Sequence, residues 1–268
     1  MKTVIVTGGT FGLGAGIVMG LARRGWHVVA FGLDAPQVSS TAAAGIAPLR
    51  QQLADENLSG EVLEADVSKA ADIDRVMAAA LARHGRIDAL VHNAAIGPLG
   101  TVLDTDEALW DKIFAVNVKG AYLSARAVIP HMVEQGGGAI VNIGSGAGWG
   151  KPNMAAYAAS KGAIHTLSQA MAYDHFHQHI RVNTVIPGGG GIVTGMSLGR
   201  VGGDASRFGH GASGSVAGHP VTPEDMANAV AFLLSDDAAA ISGTVIDVGC
   251  FMHQGGPVPA RPAGASGG

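Results

Sequence analysis

The sequence predicts a single α/β domain built on a doubly wound, parallel, seven-stranded sheet. Three observations carry that expectation: short β-branched runs recur along the chain, Ala-rich stretches of helical period separate them, and the runs are apolar throughout. A strand apolar on both faces must be covered on both faces, and a parallel sheet achieves this because each crossover lays a helix over it. The runs are Val4 to Val6, His27 to Phe31, Glu61 to Ala65, Ala89 to His92, Ala139 to Ile143, Arg181 to Ile186 and Thr244 to Val248. The first is followed by a helical pattern over Ile17 to Ala22, and long helices are expected over 106–134 and 154–178. In such a sheet ligands bind beyond the carboxyl ends of the strands, where segments 8–14, 93–97, 144–150 and 187–194 would meet.

Composition supports one globular unit. Of the 268 residues 47% are hydrophobic and 14% charged, enough to bury a large core, and no linker interrupts residues 1–250. Segment 188–219, dense in Gly and Ser, reads as a substrate lid, and the Pro- and Gly-rich stretch 255–268 as a flexible tail. A net charge of −4 without a clustered basic face argues against nucleic acid as a partner. The single cysteine, Cys250, excludes an intramolecular disulfide and fits a reducing compartment. The chain enters a strand at Lys2 to Val6 and has no apolar run of spanning length, so the expectation is a cytoplasmic protein that does not enter membranes.

Two motifs carry chemistry. Gly8, Gly12 and Gly14 lie between the first strand and the first helix with spacing GxxxGxG. There the backbone can approach a pyrophosphate closely, and the helix offers free N–H groups and the positive end of its dipole. The carboxylate that selects between dinucleotides belongs at the end of the second strand, where Asp34 is the only one in reach. No Lys or Arg in the glycine-rich loop or after this strand could grip a 2′-phosphate, so NAD is favoured over NADP, which stays open. Tyr157 and Lys161 stand one helical turn apart, so an ammonium can sit beside a phenol and favour its ionised form.

These residues resemble the short-chain dehydrogenase/reductase family over residues 2–250. The resemblance rests on TGGTFGLG at 7–14, Asp66-Val67, Asn93-Ala94-Ala95-Ile96, Asn117, Ser145, YAASK at 157–161 and Pro187-Gly188. It implies a Rossmann-fold, NAD(P)-dependent enzyme, commonly a tetramer, that interconverts a small-molecule alcohol and a carbonyl compound by hydride transfer without a metal. By that resemblance Tyr157 is the general acid/base, Lys161 holds the nicotinamide ribose, Ser145 binds the substrate oxygen and Asn117 anchors a water in the proton relay. Gly8, Thr10, Phe11, Gly12, Leu13, Gly14, Asp34, Asp66, Val67, Asn93, Ala94, Pro187 and Gly188 join Tyr157 and Lys161 on the cofactor side.

Several positions depart from the family pattern. Tyr157 stands twelve positions after Ser145 where thirteen are usual, and the usual acidic position of NAD-preferring members falls on Gly32. Four glycines, Gly188 to Gly191, delay Thr194, and Val248-Gly-Cys250 replaces a common Asp-Gly-Gly. Trp149, Met154 and Met196 are candidates to line a substrate pocket. His175 and His179 could share a helix face and hold a metal, but no carboxylate or Cys completes the set, so none is expected there. A non-catalytic nucleotide-binding scaffold or sensor, or a dehydratase or epimerase, is the alternative on the same fold.

Overall fold

The structure is a computed structural model that describes residues 1–34, 45–188, 192, 196–197 and 215–249. Most of the expected lid, Thr194, Cys250 and the tail lie outside the described residues. Seven strands form one sheet: β1 Thr3–Thr7, β2 His27–Gly32, β3 Gly60–Glu64, β4 Ala89–His92, β5 Gly138–Ile143, β6 Ile180–Pro187 and β7 Val245–Val248. Their order is β3-β2-β1-β4-β5-β6-β7 and every pairing is parallel. The direction of winding reverses between β1 and β4, so a crevice opens at their carboxyl ends.

Seven helices cover the sheet among the described residues: α1 Gly12–Arg23, α2 Ile46–Asp55, α3 Ala70–His84, α4 Glu107–Phe114, α5 Gly120–Glu134, α6 Ala155–Asp174 and α7 Pro223–Leu234. Side chains alternate across each strand, and the core divides accordingly. Val4, Val6, Val28, Ala30 and Val91 face one hydrophobic layer with α1, α2 and α7. Ile5, Val29, Phe31 and Leu90 face the other, with α3 and α5.

Local chemistry sets the helix ends. Asp106 accepts the Leu109 N–H at 2.7 Å and starts α4. Thr222 and Asp225 cap each other reciprocally ahead of Pro223, which starts α7.

The expected strands all form, with no end moved by more than one residue. The helix expected over 106–134 runs through a π-turn at Ala115–Lys119, which joins α4 to α5. The helix expected to reach 178 stops at Asp174 and passes into a 3-10 turn at Phe176–Gln178, with His179 left-handed at φ 57°. His175 and His179 therefore share no helix face, and His175 Nδ1 contacts the Gln178 Oε1 instead.

Leu90 is fully buried in the α3/α5 layer. Leu90→Ala is expected to lower unfolding stability by about 2–5 kcal/mol in urea titration, and a loss below about 1 kcal/mol would show that this layer repacks freely.

Candidate active site

The crevice is organised around Thr7, the last residue of β1. Its hydroxyl accepts the N–H groups of Asn93 and Ala94, each at 3.1 Å, and lies 3.0 Å from His92 Nδ1. With both lone pairs engaged, the hydroxyl gives its proton to Nδ1, and the neutral imidazole then carries its own proton on Nε2. That Nε2 is buried and makes no hydrogen bond within 3.5 Å among the described residues, the Asn117 backbone being the polar group that acts on it. Burial, then the nearby Lys161 charge, push the His92 imidazole down to about 3, against a weaker opposing pull from the Asn117 backbone. His92 is therefore neutral throughout the physiological range.

Asn93 extends the same junction. Its side-chain amide donates to Gly8 O at 2.8 Å and to Thr7 O at 3.3 Å, which holds the glycine loop in place. Gly8 has φ 61°, and a Cβ there would stand 2.7 Å from Ala94 Cα. A Cβ on Gly14 would meet Gly8 O at 2.0 Å, so the first turn of α1 can close on the loop only with glycine at this position. Phe11, the residue before α1, is extended and supplies no side-chain cap. The leading N–H groups of a twelve-residue helix are thus left for an anion, and this cradle fits a dinucleotide pyrophosphate. Leu13 packs its side chain into the core and can contribute only backbone.

Three further elements close the crevice. Ser145 follows β5, and its Oγ accepts the Ala147 N–H at 3.2 Å across a 3-10 turn, Gly146–Trp149. Asn117 lies in the π-turn, fully buried, and both of its amide atoms are used. Its Oδ1 accepts the Ile96 N–H and its Nδ2 donates to Ile96 O, both at 2.8 Å, and Nδ2 also donates to Ser160 Oγ at 2.9 Å. Ser160 in turn donates to Tyr157 O at 2.8 Å. The strand-end loop after β4 is thereby tied to the turn of α6 that carries Tyr157.

Tyr157 and Lys161 lie on successive turns of α6 and are both buried. Lys161 Nζ donates to Ile143 O at 2.7 Å and lies 5.9 Å from the centre of the Tyr157 ring. Burial pushes the Lys161 ammonium down to about 8, so at neutral pH it is still predominantly charged.

The edge toward β2 and β3 is more ordinary. Asp34 is exposed, and its Oδ1 accepts the Ile46 N–H at 3.2 Å at the start of α2. Thr10 is buried and donates to Leu33 O at 3.1 Å. A side chain at Gly32 would begin 2.9 Å from Thr10 Oγ1, so the position of the usual acidic residue is filled by Thr10. Asp66 accepts both the N–H and the hydroxyl of Ser68; burial alone would raise its carboxyl, but these bonds and Lys69 hold it below the usual range. Val67 is buried beside α5. Pro187 ends β6, and the Gly188 N–H is bonded to Val248 O at 2.8 Å.

A family model described as Enoyl-(Acyl carrier protein) reductase matches residues 8–252. Dehydrogenase/reductase SDR family member 4 of Sus scrofa is 36% identical over 250 residues, covering 92% of this chain and 86% of the relative. The chain belongs to the short-chain dehydrogenase/reductase family. Another relative, 2-(S)-hydroxypropyl-CoM dehydrogenase 3 of Xanthobacter autotrophicus, is 39% identical over 254 residues, covering 92% of this chain and 94% of the relative. The crystal structure of a 3-ketoacyl-(acyl-carrier-protein) reductase from Brucella melitensis complexed with NADH superposes with a TM-score of 0.78 at 31% identity, covering 94% of this chain and 98% of that one. This short-chain dehydrogenase/reductase is an NAD(P)-dependent oxidoreductase on a Rossmann fold. Among its described residues no helix is long and apolar enough to cross a membrane.

The described residues of this family member bring Asn117, Ser145, Tyr157 and Lys161 to the same crevice as the glycine loop. Thr7 and Ser160, inside TGGTFGLG and YAASK, and His92, at the end of the fourth apolar run, receive no role from the sequence alone. Thr7 could have been found from its place, the last strand residue before the first glycine; His92 is one strand residue among several until the fold sets it against Lys161. For Lys161, whose pKa falls from 10.5 to about 8 on burial, the folded state binds fewer protons than the unfolded chain between those values, so stability rises with pH across that window. In the ligand-free protein, the stability of the wild type relative to Lys161→Met should accordingly increase by on the order of 3 kcal/mol from pH 7.5 to pH 10.5 in urea titrations. A flat difference would place the ammonium in contact with water.

Proposed function

We propose that the chain is an alcohol dehydrogenase or carbonyl reductase that uses Tyr157 as its general acid/base and prefers NAD(H). The observation that carries this reading is the buried Lys161 ammonium beside the Tyr157 ring, at the mouth of a sheet whose first helix N-terminus is left open for phosphate. A dinucleotide would be held by the backbone of Gly8, Thr10, Phe11, Gly12, Leu13 and Gly14. Asp34, Asp66 and Val67 would flank its adenosine half, and Asn93, Ala94, Pro187 and Gly188 its nicotinamide half. Bound nicotinamide supplies the hydride donor or acceptor.

In the reductive direction, the carbonyl oxygen gains negative charge as the hydride arrives. Ser145 Oγ–H and the Tyr157 phenol aim donors at that oxygen, and the phenol then gives up its proton. In the oxidative direction the Tyr157 phenolate takes the alcohol proton. The Lys161 cation favours the phenolate in both. Asn117 holds Ile96 and Ser160 with its amide and so fixes the α6 turn behind the phenol, with a water as the next member of the relay. The relative named for a hydroxypropyl compound supports an alcohol as the substrate class. Trp149, which is partly exposed and lies against His165 at 4.3 Å, gives the pocket an apolar wall together with Met154 and Met196.

The α4/α5 face supports a homo-oligomer, a tetramer by analogy with the family. Trp110 and Tyr122 are 39% and 47% exposed there, beside a shallow groove of about 440 Å³ lined by Phe114, Ala115 and Val118. Cytoplasmic location fits the lone cysteine.

Tyr157→Phe is expected to lower kcat roughly 100- to 10,000-fold with NADH affinity unchanged within about twofold. Turnover near the wild-type rate would remove Tyr157 from the reaction. Fluorescence titration should show NADH binding about tenfold tighter than NADPH. Asp34→Asn, which keeps an acceptor for the Ile46 N–H and removes the charge, should narrow that gap. Equal or tighter NADPH binding by the wild type would overturn the preference.

A further inference from the structure

At the opposite end of the sheet from the crevice, the first residue of β2, the second of β3 and the last of α3 converge. They are His27, Glu61 and His84, and their ligand-type atoms all lie within 4.8 Å of one another. His84 Nε2 is 3.2 Å and His27 Nε2 3.6 Å from the same oxygen, Glu61 Oε1. The two imidazole rings stack, with centroids 3.6 Å apart and planes tilted by 33°.

His27 is the independent sign that a ligand belongs here. It is 7% exposed, and its buried Nε2 makes no hydrogen bond among the described residues, facing Glu61 Oε1 at 3.6 Å. Its other nitrogen, Nδ1, is held by Ser59 Oγ at 2.6 Å. If Nδ1 donates that bond, the Nε2 lone pair points into the cluster, the arrangement by which a second partner fixes the tautomer of a metal-ligating histidine.

We propose that His27 Nε2, His84 Nε2 and Glu61 Oε1 form a binding site for a divalent cation of the zinc class. Two imidazole nitrogens and one carboxylate oxygen are a donor set that suits Zn²⁺ or Co²⁺ and does not suit Mg²⁺ or Ca²⁺, which require oxygen ligands. Water completes the fourth position. Convergence of the lone pairs requires His84 to turn out of the ring stack; as the last residue of α3, with a side chain 19% exposed, it has room to do so. Arg83 contacts Glu61 Oε1 at 3.2 Å from a side chain 67% exposed, so it can swing into solvent when a cation takes its place. The site joins the edge strand β3 to β2 and to the end of α3. Its effect falls on the stability of that edge, away from the carboxyl ends where Tyr157 and Lys161 stand.

The test is zinc titration of the full ligand-free chain by calorimetry and thermal denaturation, with Cys250 changed to Ser and His175, His177 and His179 changed to Gln to remove competing surface ligands. One equivalent should bind, with a rise in Tm of roughly 5 °C at saturation. His84→Gln and Glu61→Gln in that background should each weaken binding at least tenfold and abolish the Tm rise, while circular dichroism without metal stays unchanged. Co²⁺ should show the visible spectrum of a four-coordinate site, lost in both variants, and Mg²⁺ should leave Tm unchanged. Absence of a bound equivalent, or equal zinc binding by the folded His84→Gln and Glu61→Gln proteins, would overturn the proposal. So would a spectrum of six-coordinate cobalt.

Discussion

The Thr7 hydroxyl stands where the sheet reverses its winding, and it uses its full hydrogen-bonding capacity there: two backbone N–H groups of the β4 loop on its lone pairs, and its proton on His92 Nδ1. β1 and β4 pair only up to Thr7 and His92, and beyond them the chains separate to leave the crevice. Without this bridge the two loops that line the crevice would have no common reference. With it, Asn93 is carried into position to hold the Gly8 carbonyl, and the glycine loop is packed so closely that neither Gly8 nor Gly14 has room for a methyl group.

The same junction shapes the electrostatics behind Tyr157. His92 is kept neutral because it is buried near the Lys161 ammonium, and two cations in that volume would repel strongly. Lys161 in turn is held, among the described residues, by one hydrogen bond, to the carbonyl of Ile143 at the end of β5. A buried ammonium with so little hydrogen-bond compensation is a costly arrangement, and sites that tolerate such cost are where chemistry is concentrated. The π-turn belongs to this economy of positions. One extra residue in the helix between α4 and α5 lets the Asn117 side chain reach both backbone groups of Ile96 and the Ser160 hydroxyl.

The two ends of the sheet differ in chemistry. The carboxyl end collects hydrogen-bond donors and a buried cation, while the amino end brings two histidines and a glutamate against Ser59 and Arg83. That separation puts the His27, Glu61 and His84 cluster at the far end of the sheet from Tyr157 and Lys161.

Much of this was legible in the chain. Seven apolar runs with helical spacers specify a parallel sheet because its strands must be covered on both faces, and the spacing of Gly8, Gly12 and Gly14 specifies a strand-to-helix turn of unusual closeness. Tyr157 and Lys161, one turn apart, were readable as a pair because helical period alone sets their relation. By contrast, Asn117 could be placed in a long helix but its π-turn could not, since that turn exists to satisfy Ile96, twenty-one residues away. Asp34 was readable as the carboxylate after β2, whereas its bond to the Ile46 N–H depended on how α2 docks. The histidines near 175–179 looked like neighbours by period and were separated when α6 ended, while His27, Glu61 and His84, remote in the chain, became neighbours through strand pairing and the packing of α3. The sequence by itself determined which residues could form elements and which side chains local geometry must bring together; only the tertiary structure decided which distant polar groups meet, because burial leaves each of them to be satisfied by whatever partner the packing of the sheet supplies.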